Sequence, residues 1–133
     1  MCLIIHKPKA GLVIDPEYID NAEEKNPDGF GIVYTDTGEC VTTMDYTEAR
    51  ELVESDRPFV AHYRYATRGE VSLKNCHPFK MRHGDYLFSN GTVADLGNKN
   101  RSDTLEVVIA LNSIKRQHWA TVLSFTDTRF AIV

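Results

Sequence analysis

The order of extended and helical segments is the feature that most constrains the fold of this chain. Segments rich in β-branched and aromatic residues, typical of strands, occur in two hairpin-like groups, and segments with helical periodicity stand between them. A regular alternation of one strand and one helix is typical of parallel sheets, and this chain does not show it. The order therefore predicts an α+β domain of layered sheets and helices. Its 133 residues are enough for a single core.

Seven segments are predicted to be strands. The second and third form a hairpin that turns at Thr37-Gly38, and the last ends at Val133 without a further turn. We therefore expect a layered architecture that is shortened at its C-terminal end. The seven predicted strands are residues 2–6, 30–36, 40–45, 59–66, 85–89, 120–125 and 129–133.

Three helices are predicted from their start and stop signals. The first begins at Asp15-Pro16, with Asp as the N-cap and Pro at the first helical position, and "KNPDG" ends it. The second covers residues 46–55, after a capping box formed by Asp45 and Glu48. The third covers residues 103–117, where apolar residues recur along one face.

Composition and charge exclude several classes of protein. The net charge is −4, which argues against nucleic acid as a partner because phosphate binding depends on clustered Lys and Arg. The longest apolar run is only a few residues, so no membrane span and no signal peptide are expected. The three cysteines form no C-x-x-C pair, which predicts a reducing, cytoplasmic location with no disulfide, no metal and no cofactor.

Cys2, directly behind the initiator methionine in "MCLIIHKPKA", has two interpretations. A lone cysteine at the head of a strand is commonly a small buried hydrophobic residue. Alternatively, removal of Met1 leaves a free α-amino group beside the thiol. That amine can accept the thiol proton, so that one residue supplies both nucleophile and base.

Arg64, in "HYRYATRG", lies in the middle of a predicted strand among apolar and aromatic residues. Alternation places it on the same face as Val60 and His62, and places Phe59 and Tyr63 on the opposite face. A guanidinium in such surroundings needs an anionic partner. That partner is either an Asp or Glu of this domain or a ligand carboxylate that Arg grips with two hydrogen bonds. The sequence favours neither.

Two further motifs each allow a structural and a functional interpretation. Asn90-Gly91 in "FSNGT" is a tight-turn signal, and it can also form an oxyanion hole from the Asn side-chain amide and the Gly backbone N–H. Asp103 in "RSDTLE" has capping-box spacing with Glu106, and it can also hold a ligand ammonium group at the start of the helix.

Taken together, these motifs resemble the class II glutamine amidotransferases, which are N-terminal-nucleophile (Ntn) hydrolases, and their compact stand-alone members in particular. The resemblance covers most of the chain, from Cys2 to about Leu111, and rests on a set of motifs in order. It implies an Ntn-hydrolase-like αββα sandwich, with residues 1–133 forming one glutamine amidotransferase type-2-like domain. The motifs are Cys2, "NPDGFGI", "HYRYATRGEVSLKNCHPF", "LFSNG" and "SDTLEVVIAL".

The resemblance also implies a role for each site residue. Cys2, once Met1 is removed, would attack the side-chain amide of glutamine or a similar small amide and form a glutamyl thioester. Asn90 and Gly91 would stabilise the oxyanion. The substrate-binding residues would be Arg64 for the α-carboxylate, Thr67 in the same pocket, and Asp103 for the α-ammonium. His77-Pro78 and Asp28-Gly29 fall in matching motifs and are expected to organise turns.

The chain also departs from the family pattern. Ser89 stands where many relatives have His, and Arg68 follows the Ala-Thr pair where His or Gln is common. We also expect no synthase domain to receive ammonia. Ammonia would then pass to a partner protein, or the reaction would end as hydrolysis to glutamate. A catalytically inactive, protein-binding member and an amidohydrolase for a different amide remain as alternatives.

Overall fold

The structure is a computed structural model that describes all 133 residues. It is a mixed α+β fold with two antiparallel sheets and four α-helices, which confirms the predicted α+β class. The first sheet contains, in spatial order, β1 (Leu3–Lys7), β4 (Phe59–Tyr63), β2 (Phe30–Tyr34) and β3 (Cys40–Thr43). The second contains β5 (Phe79–Lys80), β6 (Tyr86–Asn90) and β7 (Arg129–Ile132).

The first two helices begin where the capping residues predict. Asp15 accepts a hydrogen bond from the backbone N–H of Glu17, and Asp45 accepts one from that of Thr47. The four α-helices are α1 (Pro16–Lys25), α2 (Tyr46–Glu54), α3 (Asp103–Leu111) and α4 (Trp119–Leu123), and short 3₁₀ turns cover Leu73–Asn75 and Arg116–His118.

Three hydrophobic clusters hold these elements together. In the first, α1 and α2 pack on β2 and β4; in the second, α3 and α4 pack with β5 and β6. The third joins the two sheets through Val33, Val60 and Phe88. Successive residues of a strand point to opposite faces, so each central strand contributes to two clusters. Strand β4, for example, gives Ala61 to the first cluster and Val60 to the third.

The prediction for the C-terminal third was wrong in two places. The third helix ends at Leu111 rather than at residue 117, and the predicted strand 120–125 is helix α4 followed by a turn. Trp119 and Leu123 are four residues apart and both are buried in the second cluster, which is helical spacing. The Trp119 indole N–H also donates to the Leu111 carbonyl at 2.9 Å and so satisfies an acceptor in the last turn of α3.

One glycine allows the two sheets to approach closely beside the site. A Cβ on Gly31 of β2 would lie 1.8 Å from the carbonyl oxygen of His77, so no larger residue fits at this position. The His77 side chain is buried nearby and contacts His62 of β4. None of the helices combines the length and apolar content that a bilayer crossing requires.

Candidate functional site

Cys2 lies at the end of the first sheet, beside the end of β4. The antiparallel pairing of β1 with β4 continues to Leu3 opposite Tyr63, which brings Cys2 to the segment that follows β4. Its sulfur is 3.3 Å from the backbone nitrogen of Tyr65, which donates to it, and 3.4 Å from the Tyr65 carbonyl oxygen, to which the thiol donates. The side chain is half-buried, so the structural interpretation of a fully buried hydrophobic residue does not hold.

Charged groups of the predicted site act on the Cys2 thiol. Burial raises its pKa above the ordinary value, and the Tyr65 N–H, the positive chain terminus and the Arg64 guanidinium oppose that rise by favouring the thiolate. The Asp103 carboxylate acts in the other direction and adds to the rise. Arg64 and Asp103 are therefore both close enough to Cys2 for their charges to affect the pKa of its thiol.

Arg64 is 2% exposed, and its guanidinium binds backbone rather than a carboxylate. Its Nη1 donates to the carbonyls of Asp28 (3.4 Å) and Glu70 (3.2 Å), and its Nη2 donates to those of Arg68 (3.0 Å) and Gly69 (3.3 Å). An Asp or Glu partner within the domain, one of the two alternatives for this guanidinium, is therefore absent. Four carbonyl dipoles take its place, and they fold the segment after β4 around the guanidinium.

We call residues 66–70, which surround the Arg64 guanidinium, the arginine loop. Asp28 holds its start: its Oδ2 accepts the Ala66 N–H at 2.8 Å, and its carbonyl accepts from Arg64. Gly69, with φ +74°, packs so closely against the chain at residues 101–102 that a Cβ would lie 2.6 Å from the Ser102 nitrogen. The loop is thus fixed at both ends.

Asn90 and Gly91 lie at the end of β6, the strand that packs across from β1. The Asn90 Oδ1 atom is buried and has no hydrogen-bond partner, and the Gly91 N–H also has none within the chain. Gly91 has φ +138°, which L-residues rarely adopt. An oxyanion hole needs donors, and the Gly91 N–H is one that the fold leaves unused, whereas the buried Asn90 Oδ1 is an acceptor.

A pair of hydroxyl groups joins the arginine loop to the Asn-Gly turn. The Thr67 Oγ1 and Thr92 Oγ1 atoms are 2.7 Å apart, and either can donate. Thr92 directly follows Gly91, so this hydrogen bond connects predicted substrate-binding and catalytic segments. Thr67 is exposed and borders a pocket of about 330 Å³.

Asp103 is the first residue of α3, and of its two interpretations the one as N-cap is wrong. Ser102 is the N-cap, because its side chain accepts the Thr104 N–H at 3.2 Å. Asp103 is 5% exposed, and its Oδ2 instead accepts the Val93 N–H at 2.6 Å. The carboxylate therefore ties the start of α3 to the segment that follows the Asn-Gly turn.

The sequence did not single out Asn75, which connects the arginine loop to the start of α3. It is fully buried, and its Nδ2 donates to the carbonyls of Glu70 and Asn100 at 3.1 and 3.0 Å. Its Oδ1 accepts the Ser102 N–H at 3.0 Å. Its only signal in the sequence was its place in the "NCHP" motif, and that motif does not indicate which groups Asn75 binds.

A buried histidine pair behind the Asn-Gly turn was also missed. His62 Nε2 is 3.0 Å from the Ser89 carbonyl, which can only accept, so Nε2 carries the hydrogen. His77 Nδ1, 3.2 Å from the same nitrogen, is then a second acceptor. Burial lowers the pKa of His62 to about 3 and that of His77 well below its ordinary value, so both rings are neutral. The pair fixes the residue before Asn90.

The pocket of about 330 Å³ lies against the arginine loop and the segment at Asn98 and Lys99. A more apolar pocket of about 470 Å³ lies elsewhere, lined by Leu12, Ile14 and Ile19 among others. It contains none of the predicted site residues. Among the predicted site residues, Thr67 alone lines the smaller pocket.

Comparison with known proteins supports the predicted class. No protein-family model matches the chain. The chain is 27% identical over 128 residues to the Saccharomyces cerevisiae (strain ATCC 204508 / S288c) protein named "Probable glutamine amidotransferase DUG3". The match covers 85% of this chain and 33% of that protein, so the chain spans about a third of its relative's length.

Proposed function

We propose that this chain is a glutamine amidotransferase-like amidohydrolase with Cys2 as an N-terminal nucleophile. Under this proposal its two sheets and four helices form an Ntn-hydrolase-like αββα sandwich, and residues 1–133 act as one glutamine amidotransferase type-2-like domain. The observation that carries the proposal is the hydrogen bonding of the Cys2 sulfur to Tyr65, the residue after Arg64, together with the influence of the Arg64 and Asp103 charges on the pKa of the thiol. The similarity to a probable glutamine amidotransferase supports it independently.

The reaction begins once Met1 has been removed and Cys2 has a free α-amino group. The neutral amine takes the thiol proton, and the sulfur attacks the side-chain amide carbon of glutamine. Negative charge develops on the amide oxygen, where the Asn90 amide and the Gly91 N–H stabilise it. The protonated amine then gives its proton to the leaving nitrogen, the C–N bond breaks, and ammonia departs from a glutamyl thioester.

Water completes the cycle. It attacks the thioester carbon, the C–S bond breaks, and glutamate and the free thiol are formed. Ammonia either leaves as product or passes to a partner protein that carries the acceptor. Under this proposal the substrate is held by its charged ends, with Asp103 for the α-ammonium and Arg64 for the α-carboxylate. Thr67 borders the pocket of about 330 Å³ beside the arginine loop.

The experiment is release of glutamate from glutamine by protein whose intact mass shows loss of Met1. The matched control is Cys2→Ala prepared in the same way. Release that depends on Cys2 and on loss of Met1 supports the proposal. Equal release by wild type and Cys2→Ala, or no release by wild type, contradicts it.

A catalytically inactive, protein-binding member is the second candidate. The observation that favours it is the occupied guanidinium of Arg64, whose four Nη hydrogens all have acceptors within the chain. Full retention of Met1 in natively expressed protein, read from its intact mass, would favour this candidate because an acylated Cys2 nitrogen is no base. Labelling of Cys2 by a glutamine-mimicking electrophile would favour the enzyme.

A further inference from the structure

The hydrogen bonds of Arg64 restrict what it can offer a ligand. A guanidinium has five N–H donors, and the four on the two Nη atoms of Arg64 are directed at the carbonyls of Asp28, Arg68, Gly69 and Glu70. Only the Nε–H is left, and a two-point grip on a carboxylate needs two donors. Binding a carboxylate in that way would require the arginine loop to unfold from around the guanidinium.

A second arginine, Arg68, lies in the arginine loop and has an exposed side chain. Arg64 holds the carbonyl of Arg68, and the Arg68 side chain is exposed and borders the 330 Å³ pocket together with Thr67. Arg68 forms no ion pair or side-chain hydrogen bond within the chain, so all five of its N–H donors are available. Lys99, also without an ion pair, borders the same pocket from the opposite segment.

Backbone contacts beside the pocket connect the arginine loop to the start of α3. The Gly69 N–H donates to the Asn98 carbonyl at 2.8 Å, which joins the arginine loop to the segment before α3. Gly97 packs against the Asp103 backbone, since a Cβ there would lie 2.6 Å from its nitrogen. The exposed Arg68 is thus linked through the backbone to the start of α3, where the Asp103 carboxylate is buried.

We propose that Arg68 is the residue that contacts the substrate α-carboxylate, with Lys99 adding positive charge. Arg64 is then a positioning residue that acts through the arginine loop. This inference rests on the proposed function and deepens it, because it assigns the specificity-determining contact to a position where the family pattern commonly has His or Gln. An exposed guanidinium can rotate to meet a carboxylate without disturbing any hydrogen bond of the fold.

The experiment measures the kinetics of wild type and of Arg68→Gln on three amide substrates. Glutamine has both charged groups, glutaramic acid lacks the ammonium, and 4-aminobutanamide lacks the carboxylate. Loss of the charge-assisted contact in Arg68→Gln should raise KM roughly 10- to 100-fold for glutamine and glutaramic acid, which both carry the carboxylate, and should change kcat little. KM for 4-aminobutanamide should not change. Arg82→Gln, an exposed arginine outside the site, is the matched control.

Arg64→Lys separates the two arginines. If Arg64 positions the loop, this variant should raise KM for all three amides and lower the unfolding midpoint. A carboxylate-selective rise in Arg64→Lys, together with an Arg68→Gln that behaves like Arg82→Gln, would overturn the inference. An equal penalty of Arg68→Gln on all three amides would do the same.

Failure of the proposed function can be recognised separately. If Met-free wild type releases no glutamate, calorimetry can still measure the binding of L-glutamine to Cys2→Ala and to Cys2→Ala/Arg68→Gln. This comparison tests the role of Arg68 in binding without any turnover. Weaker binding in the double variant supports the role of Arg68, and unchanged binding rejects it. A Cys2→Ala protein that binds no glutamine contradicts both proposals.

Discussion

The sulfur of Cys2 lies between the backbone N–H and the backbone carbonyl of one residue, Tyr65, at 3.3 and 3.4 Å. The N–H favours the thiolate, whereas the carbonyl accepts the thiol hydrogen and so favours the neutral form. Deprotonation therefore removes the bond to the carbonyl and strengthens the bond from the N–H. Burial has the largest effect on the thiol and raises its pKa, which favours the protonated form.

The first prediction concerns the acidity of Cys2. Its raised pKa means that less thiolate is present near neutral pH than in a free cysteine, so alkylation by iodoacetamide should be slow and should accelerate at alkaline pH. Asp103→Asn removes a charge that raises this pKa, so the alkylation profile should move to lower pH. Peptide mass mapping separates Cys2 from Cys40 and Cys76. A profile that moves to higher pH would show that Asp103 does not act on the thiol.

The second prediction concerns Asn90. Asn90→Ala removes a donor to the developing oxyanion, so kcat should fall by about 10²–10³ with a much smaller change in KM. Stability should change little, because the buried Oδ1 of Asn90 has no hydrogen-bond partner to lose. Asn100→Ala, an exposed amide on the segment before α3, is the control. A loss of activity that follows the loss of folded protein would contradict a role in catalysis.

The third prediction concerns Asn75 and stability. Asn75→Ala leaves the Ser102 N–H and two backbone carbonyls without their partner in a buried region, so the free energy of unfolding should fall by about 1–3 kcal/mol. Urea denaturation measures this difference. The exposed Gln117→Ala serves as the control, and its unfolding free energy should stay within about 0.5 kcal/mol of wild type. Equal stability of the two variants would show that the Asn75 bridge is not structural.

The fourth prediction concerns the pH dependence of stability. His62 has a folded pKa of about 3 and His77 is also lowered, whereas an unfolded chain binds protons at its histidines near pH 6.5. Below pH 6.5 the unfolded state therefore binds more protons, and stability must decrease as the pH falls. Each ring contributes up to about 1.4 kcal/mol per pH unit.

Urea midpoints at pH 7.0, 6.0 and 5.5, at constant ionic strength, measure this dependence. His77→Gln should reduce the slope, and the exposed His118→Gln is the matched control. Carboxylates begin to titrate below pH 5, so the comparison stays above that value. Stability that is constant between pH 7.0 and 5.5 would mean that the pair is accessible to protons in the folded state.

The local signals in the sequence were sufficient for most of the fold. Asp15 and Asp45 mark the starts of two helices because capping depends on residues close in sequence. The strand at 120–125 was wrong because Thr121 and Val122 favour extended structure, whereas the burial of Trp119 and Leu123 on one face depends on distant partners.

The site also has residues that the sequence predicted and contacts that it could not predict. Cys2 and Asp103 were named from their motifs, and in the structure the charges of Arg64 and Asp103 both affect the pKa of the Cys2 thiol. The partners of Arg64 were not predictable, because four backbone carbonyls carry no residue type that a pattern can detect. The His62–His77 contact joins a strand of one sheet to the start of another, and no sequence spacing encodes it.

The Asn75 bridge has a consequence for how two distant segments respond to each other. It ties the carbonyl of Glu70, at the end of the arginine loop, to the N–H of Ser102, the residue before Asp103. The separation of these two segments is therefore set by one buried side chain. A displacement of the arginine loop should be transmitted to the start of α3 through this single amide, although the two segments are far apart in sequence.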